Sequence, residues 1–97
     1  MSAAADSNPI DASKFQHMFY TYVLKSLKDN GIYIGYTSDI TRRIEEHNSG
    51  LSKSTKHRIP FKLIHLEKFK TRSEAMKQER FLKTGKGRVF IKQTYHI

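Results

Sequence analysis

The 97-residue chain contains no cysteine and no long run of apolar residues. Without cysteine it has neither a disulfide framework nor a thiolate zinc site. A helix that crosses a bilayer needs ~20 consecutive apolar residues, so this chain is not expected to be an integral membrane protein. A chain of this length is predicted to form one small domain, without room for a separate cofactor domain. The sequence also lacks a glycine-rich phosphate loop and a nucleophile-elbow motif.

Acidic residues are scarce: nine Asp and Glu stand against 18 Lys and Arg, which gives a formal net charge of +9. The excess lies in residues 51–97, where thirteen bases and three acids leave a net charge of +10. Residues 18–50 are neutral. Such a basic chain favours a polyanionic partner, most often nucleic acid, although small ribosomal and architectural proteins share this composition.

Residues 1–17 are rich in Ala, Ser and Asp and show no sustained periodicity. We interpret them as a leader, either derived from cloning with Met18 as the natural start, or a native disordered extension. They lack the basic region and apolar core of a secretory signal. Residues 18–97 are predicted to form a single domain.

Hydrophobic patterning predicts an α+β domain of order ββαβαα, a small three-stranded antiparallel sheet flanked by helices. The Asn30-Gly31 pair favours the positive φ angles of a tight hairpin turn. Gly50 is predicted to end the first helix, and Gly85 and Gly87 to separate the second helix from a short third one. The predicted strands are 19–26, 32–37 and 61–69, and the predicted helices are 39–49, 71–84 and 88–93.

Two polar residues lie on the apolar side of the first predicted helix. At 100° per residue, Arg43 and His47 share the arc of Ile40 and Ile44. They are four residues apart, so their side chains can meet. Each also has an ordinary structural explanation, namely an arginine that snorkels at a helix edge and a histidine that bonds to a carbonyl.

Glu79 falls within the apolar stripe of the second predicted helix, on the side of Ala75 and Leu82. Burial of a carboxylate without a partner costs several kcal/mol, so we expect a cation beside Glu79. The pattern leaves open whether that cation is a neighbouring Lys or Arg or a divalent metal. Magnesium typically takes one or two protein carboxylates together with water and phosphate oxygens.

Tyr22 and Tyr33 lie on the two strands of the predicted hairpin and converge if the register allows. A nearby arginine favours the ionised form of an inward phenol, which makes a tyrosine of unperturbed pKa ~10 a candidate general base. A metal, an arginine and a Tyr/His pair together supply the chemistry of a phosphodiesterase.

Residues 20–47, YTYVLKSLKDNGIYIGYTSDITRRIEEH, resemble the GIY-YIG nuclease domain. Residues 18–92 resemble the short single-domain bacterial members of that superfamily, which are related to the nucleotide-excision-repair incision subunit. The tripeptide 33–35 is the second half of the signature, whereas 20–22, Tyr-Thr-Tyr, keeps only the final tyrosine of the first half. The ordered spacing of the arginine, histidine and glutamate that follow also matches the family pattern.

The resemblance implies a role for each matching residue. Tyr22 and Tyr33 would be the catalytic-site tyrosines, and Tyr22 would be the first choice for activating or positioning the attacking water. Arg43 would bind the scissile phosphate and stabilise its transition-state charge. His47 would hydrogen-bond a tyrosine or relay a proton. Glu79 would hold a single Mg²⁺ or Mn²⁺ that polarises the phosphate.

Gly35 would allow backbone and substrate to approach closely, according to the same resemblance. Some family members add an asparagine late in the chain, but Val89 or Gln93 occupies that region here and no Asn follows Asn48. The basic residues that we expect to contact the DNA backbone, unless they form a merely solvated face, are Lys53, Lys56, Arg58, Lys83, Lys86 and Arg88.

The function implied is a metal-dependent endonuclease that hydrolyses DNA and prefers a DNA structure, such as a branched or distorted duplex, over a base sequence. A bacterial cytoplasmic protein of DNA repair or recombination is implied, with no membrane partner and no small-molecule cofactor beyond the metal. Two alternatives remain open: a non-catalytic nucleic-acid-binding module on the same fold, and an RNA-associated basic protein.

Overall fold

The computed structural model describes residues 18–97, so the leader predicted for residues 1–17 lies outside the described residues. One antiparallel sheet of order β2-β1-β3 contains the strands β1 (Phe19–Ser26), β2 (Ile32–Thr37) and β3 (Phe61–Phe69). The helices are α1 (Ile40–Ser49), α2 (Arg72–Lys83) and α3 (Gly85–Tyr95). The predicted α+β fold of order ββαβαα is confirmed. Within the described part of the chain, no helix has the length and apolar character needed to cross a membrane.

The sheet separates two small hydrophobic clusters because side chains alternate across each strand. On one face Val23 and Ile34 pack with Leu82 of α2 and Ile91 of α3. On the other face Tyr22 and Leu24 pack with Phe61, against apolar side chains that include two from α1. Burial of an apolar side chain stabilises by ~1.5–3 kcal/mol, so both faces contribute to folding. The face that carries Tyr22 also carries the polar residues of interest.

The hairpin between β1 and β2 closes through residues 27–31. Ser26 N–H donates to the Gly31 carbonyl at 2.8 Å, and Asn30 N–H donates to the Ser26 carbonyl at 2.9 Å. Asn30 adopts a φ of 61°, as its residue type permits. The turn is therefore longer than a two-residue hairpin loop.

The ends of α1 and α2 follow the sequence pattern. The Asp39 side chain accepts the backbone N–H of Arg42 at 3.1 Å, and Gly50 ends α1 with a φ of 84°. Thr71 and Glu74 form a reciprocal capping box at the start of α2. These interactions fix the two helices that carry the candidate site residues.

The predicted break between the second and third helices is present, but it lies at Thr84, and the two glycines belong to the first turn of α3. The chain turns at Thr84, whose side-chain hydroxyl accepts the Gly87 N–H at 3.1 Å. A Cβ at position 87 would lie 2.1 Å from the Phe81 carbonyl oxygen. Gly87 thus permits close packing of α3 on the end of α2, and α3 is correspondingly longer than predicted.

Candidate active site

The register of β1 and β2 places two tyrosines on one face of the sheet. Tyr22 pairs with Gly35, and Leu24 pairs with Tyr33. Cross-strand partners lie on the same face, so the Tyr22 and Tyr33 rings approach to 6.3 Å between centroids. Tyr22 is buried, with 1% of its surface exposed, whereas Tyr33 is half-buried.

Helix α1 brings His47 onto the two tyrosines. Its apolar face packs Ile40 and Ile44 on the sheet, and His47, one turn further along that face, is fully buried. Its Nε2 atom lies 3.1 Å from the Tyr22 Oη. Its ring centroid lies 4.7 Å from that of Tyr33. The Tyr/His pair that the residues predicted is therefore assembled around Tyr22.

Thr55 completes the arrangement, although the sequence did not predict its role. The Thr55 Oγ1 lies 3.0 Å from the His47 Nδ1, and Thr55 is 2% exposed. Its hydroxyl also donates to the Ser52 carbonyl at 3.4 Å. Thr55 follows His47 by eight residues in an aperiodic loop, so no sequence signal marks it.

One assignment of protons satisfies every hydrogen-bonding group from Tyr22 through His47 and Thr55 to the Ser52 carbonyl. The Thr55 hydroxyl donates to Ser52, accepts the His47 Nδ1–H, and thereby leaves Nε2 as an acceptor for the Tyr22 O–H. The opposite tautomer would place an N–H against the Tyr22 oxygen and leave the buried phenolic proton without this acceptor. Because a buried donor without a partner costs ~1–3 kcal/mol, the Nδ1–H tautomer is favoured.

The environment of Tyr22 opposes its ionisation. Burial raises the pKa of Tyr22 to about 12, and the charges of Tyr33 and Glu79 act in the same direction. Hydrogen bonding and the charge of Arg43 lower this pKa but do not outweigh burial. Arg43 thus favours the phenolate, as expected, but desolvation of the phenolate is the larger effect and the phenol stays protonated near pH 7.

Arg43 lies beside both tyrosines and is held by an acid of its own helix. Its Nη1 donates to the Glu46 Oε1 at 2.9 Å. Partial burial lowers the pKa of Arg43, but hydrogen bonds to Glu46, Tyr22 and Tyr33 raise it overall, so the guanidinium stays charged. Burial, followed by the Arg43 charge, lowers the pKa of His47, and Glu46 only partly opposes this shift. His47 is therefore neutral near pH 7.

Glu79 approaches the same site from α2. Its side chain is 18% exposed, and its Oε2 lies 3.1 Å from the Lys83 ammonium. The cation that we expected beside Glu79 is thus present as a lysine four residues along the helix. Its charge is also close enough to raise the pKa of Tyr22.

A metal at Glu79 would need ligands from outside the protein. The described residues 18–97 contain no group of three His, Cys, Asp or Glu side chains suited to a metal ion. One half-buried carboxylate nevertheless fits Mg²⁺ or Mn²⁺, because Mg²⁺ commonly combines one carboxylate with water and substrate phosphate oxygens. The donor set therefore fits a metal shared with substrate rather than an all-protein cage.

The other predicted residues lie in different surroundings. Gly35 lies under the Tyr22 ring. Arg58 bonds to Asp29 at 2.8 Å, Lys83 bonds to Glu79, and Val89 is exposed on α3. The remaining basic residues predicted to contact DNA are exposed, namely Lys53, Lys56, Lys86 and Arg88.

Comparison with known proteins identifies the family. The family model described as the GIY-YIG catalytic domain matches residues 18–95. A UPF0213 protein of Listeria welshimeri is 58% identical over 65 residues, which cover 66% of this chain and 69% of that protein. A UPF0213 protein of Streptococcus pneumoniae is 46% identical over 71 residues, which cover 72% and 71% of the two chains.

A solution NMR structure of a UPF0213 protein from Bacillus halodurans is also similar, with 35% sequence identity and a TM-score of 0.49. The match covers 79% of this chain and 84% of that one. The family-model match spans nearly all of the residues that the structure describes. On the strength of that match and of the two sequence relatives, the chain belongs to the GIY-YIG catalytic domain family.

Proposed function

We propose that this protein is a metal-dependent endonuclease that hydrolyses DNA phosphodiester bonds and recognises DNA structure rather than base sequence. The observation that carries the proposal is the 3.1 Å contact between the Tyr22 Oη and the His47 Nε2. It pairs a protonated phenol with a neutral imidazole, next to an arginine and a carboxylate. Such a pair can supply general acid–base catalysis of water attack on a phosphate.

The Tyr22–His47 pair can accept a proton from water without a free phenolate. As the Tyr22 Oη takes the proton of the attacking water, its own proton passes to the His47 Nε2. The resulting imidazolium keeps its Nδ1–H bonded to Thr55, and Glu46 partly offsets the burial and the Arg43 charge that lower the pKa of His47. A Tyr22 pKa of about 12 is compatible with this relay because His47 is the final acceptor. Because Tyr22 is buried, we expect the attacking water to reach its Oη together with the substrate.

Arg43 is the residue that we assign to the phosphate. Its guanidinium carries donors in a planar fork that matches two phosphate oxygens. In the structure these donors face Glu46 and the two tyrosines. A phosphate bound there would lie beside the Tyr22–His47 pair, where the positive charge stabilises negative charge developing on the phosphate oxygens.

Glu79 is the residue that would hold Mg²⁺ or Mn²⁺, together with phosphate oxygens and water. When bound, such an ion polarises the phosphate and stabilises the leaving oxygen. Lys83 holds one oxygen of Glu79 in place and would remain a charge-compensating neighbour.

The exposed lysines support a preference for DNA structure over base sequence. Lys53, Lys56 and Lys86 are exposed, and lysines of this kind neutralise phosphates without reading bases. Recognition would then depend on the shape and flexibility of the duplex, as DNA repair or recombination would require.

Plasmid nicking tests the proposal. Wild type is compared with Glu79→Gln and Arg43→Gln, in Mg²⁺ or Mn²⁺ and in chelator. Arg42→Gln and Glu45→Gln are matched controls, because both residues are exposed on α1. We expect each site variant to lose on the order of 10²-fold or more in rate, and both controls to stay near wild type. Equal nicking by all variants would indicate a contaminant and contradict the proposal.

The ion pair between Glu79 and Lys83 favours one alternative, a non-catalytic nucleic-acid-binding module. At 3.1 Å the pair already balances the charge of Glu79 without a metal. This alternative is supported if wild type binds DNA but nicks no faster with Mg²⁺ or Mn²⁺ than in chelator.

A further inference from the structure

A second basic site lies at the hairpin end of the sheet. A cavity of about 350 Å³ is bounded by the turn residues 30–32, by Arg58, and by Arg88, Lys92 and Ile97 at the side of α3 and its C-terminal end. Ile32 packs with the α2 and α3 cluster, whereas the next residue, Tyr33, packs on the α1 face. The cavity therefore lies at the hairpin end of the sheet, between α3 on one side and Arg58, which stacks over Phe61 of the α1 face, on the other.

The two charges that α3 contributes to this cavity form no ion pair within the described residues. Arg88 and Lys92 are four residues apart on α3, and like charges at that spacing destabilise a helix by ~0.2–0.5 kcal/mol. Arg88 uses only its Nε, which donates to the Lys83 carbonyl at 3.4 Å. The rest of its guanidinium remains available to a ligand.

Arg58 is held in place at the opposite wall of the cavity. Its Nε lies 2.8 Å from the Asp29 Oδ2, and its guanidinium lies 5.7 Å from the centroid of the Phe61 ring. A Cβ at position 31 would lie 2.6 Å from the Arg58 Nη2, so Gly31 leaves the space that this guanidinium occupies. Three cations thus surround one cavity, and of the three only Arg58 forms a side-chain ion pair within residues 18–97.

We propose that Arg58, Arg88 and Lys92 bind a backbone phosphate of a second DNA segment, separate from the segment at the catalytic site. The inference rests on the proposed function for the identity of the polyanion. A second phosphate site at the hairpin end of the sheet, beside the catalytic site, would engage a second arm of a branched duplex. We therefore expect a preference for branched over linear DNA, because a branched substrate offers a second arm to this site.

The test measures binding rather than cleavage. Fluorescence anisotropy compares a forked duplex with a linear duplex of equal phosphate number, in chelator and with Glu79→Gln as the parent protein. Arg88→Gln combined with Lys92→Gln removes two cations of the cavity. Lys70→Gln combined with Lys77→Gln is the charge-matched control, because both lysines are exposed and lie near the other end of the sheet.

We expect the cavity variant to weaken fork binding on the order of tenfold and to reduce its salt slope by about 2. Linear-duplex binding should change no more than in the control. Equal losses on fork and linear DNA, or equal losses in cavity variant and control, would overturn the proposal. If nicking fails for wild type while the fork preference remains, the nuclease proposal alone is wrong.

An NMR titration with inorganic phosphate tests the site directly. Saturable shifts of the amides of Arg88 and Lys92, absent from the cavity variant, are expected. Shifts that do not saturate, or that persist in the variant, would contradict a phosphate site at this cavity.

Discussion

The Tyr22 phenol lies across the backbone of Gly35, its partner on β2. A Cβ at position 35 would lie 2.6 Å from the Tyr22 Oη and 2.8 Å from its Cζ. The resemblance implied that Gly35 lets substrate approach the backbone, but the group that approaches Gly35 in the structure is the Tyr22 side chain. The absence of a side chain at position 35 sets where the Tyr22 hydroxyl meets His47.

Gly35→Ala is expected to displace Tyr22 from His47. We predict a loss of nicking on the order of 10²-fold or more, because a shift of about 1 Å at a reacting group has this effect. A cost of ~1–3 kcal/mol in the free energy of unfolding should accompany it, from overpacking of the buried site. Nicking rates and urea unfolding measure the two effects.

Gly85→Ala is the control for this substitution, because no atom lies within 4 Å of a Cβ built there. It should change the free energy of unfolding by no more than ~0.5 kcal/mol and leave nicking unchanged. A Gly35→Ala protein as active as wild type would show that the position of Tyr22 over Gly35 is not needed.

Thr55→Val is expected to disturb the tautomer of His47. Valine removes the acceptor of the Nδ1–H while keeping the shape of the side chain, which leaves a buried donor unpaired at a cost of ~1–3 kcal/mol. We predict a nicking rate at least about tenfold lower and a change in the ¹⁵N shifts of the His47 ring. Thr55→Ser keeps the hydroxyl and should restore both.

Thr21→Val is a matched control for Thr55→Val. Thr21 is fully buried, and its hydroxyl donates to the Ala75 carbonyl at 2.7 Å. Its loss should reduce stability without changing the His47 ring shifts. If Thr21→Val and Thr55→Val slow nicking equally, Thr55 has only a structural role.

Acidification is expected to destabilise the protein through His47. Its folded pKa is lowered, chiefly by burial, so below the unfolded pKa of ~6.5 the unfolded chain binds a proton that the native state does not. Stability is therefore fully retained above that pH and falls below it, by at most about 1.4 kcal/mol per pH unit from this group. Urea unfolding at pH 7.5 and pH 5.0 measures the loss.

Measurements between pH 7.5 and pH 5.0 distinguish the contribution of His47 to stability from that of Asp29. The pKa of Asp29 is lowered to about 2, mainly by its hydrogen bond to Arg58, so its contribution is lost only at lower pH. His47→Gln should flatten the dependence between pH 5.0 and 7.5, and His57→Gln, an exposed control, should not. An unchanged dependence in His47→Gln would assign the effect to another group.

Gly87→Ala is expected to separate α3 from α2. The added Cβ would lie 2.1 Å from the Phe81 carbonyl oxygen and 2.5 Å from the Leu82 Cα, both backbone atoms. Backbone yields less readily than a side chain, so we predict a loss of roughly 3 kcal/mol or more. Thermal unfolding measures it, with Gly85→Ala as the reference. Equal melting temperatures for the two variants would contradict the close packing.

Local sequence signals were sufficient to predict the three strands and the first two helices. The β-branched and aromatic runs, the capping residues and Gly50 are local signals, and local interactions determine those boundaries. The start of α3 was not predictable in the same way. Gly87 occurs there because another helix approaches within van der Waals distance, and such a contact has no signature in the neighbouring residues.

The sequence by itself determined that Arg43, His47 and Glu79 lie on apolar helix faces, and that two tyrosines lie on a hairpin. Only the tertiary structure decided what these groups do to one another. Register placed Tyr22 over Gly35, and the loop after α1 placed Thr55 against His47. Burial then outweighed the effect of the Arg43 charge on the pKa of Tyr22. The sequence could not predict this outcome, because desolvation depends on all surrounding atoms and not on residue spacing.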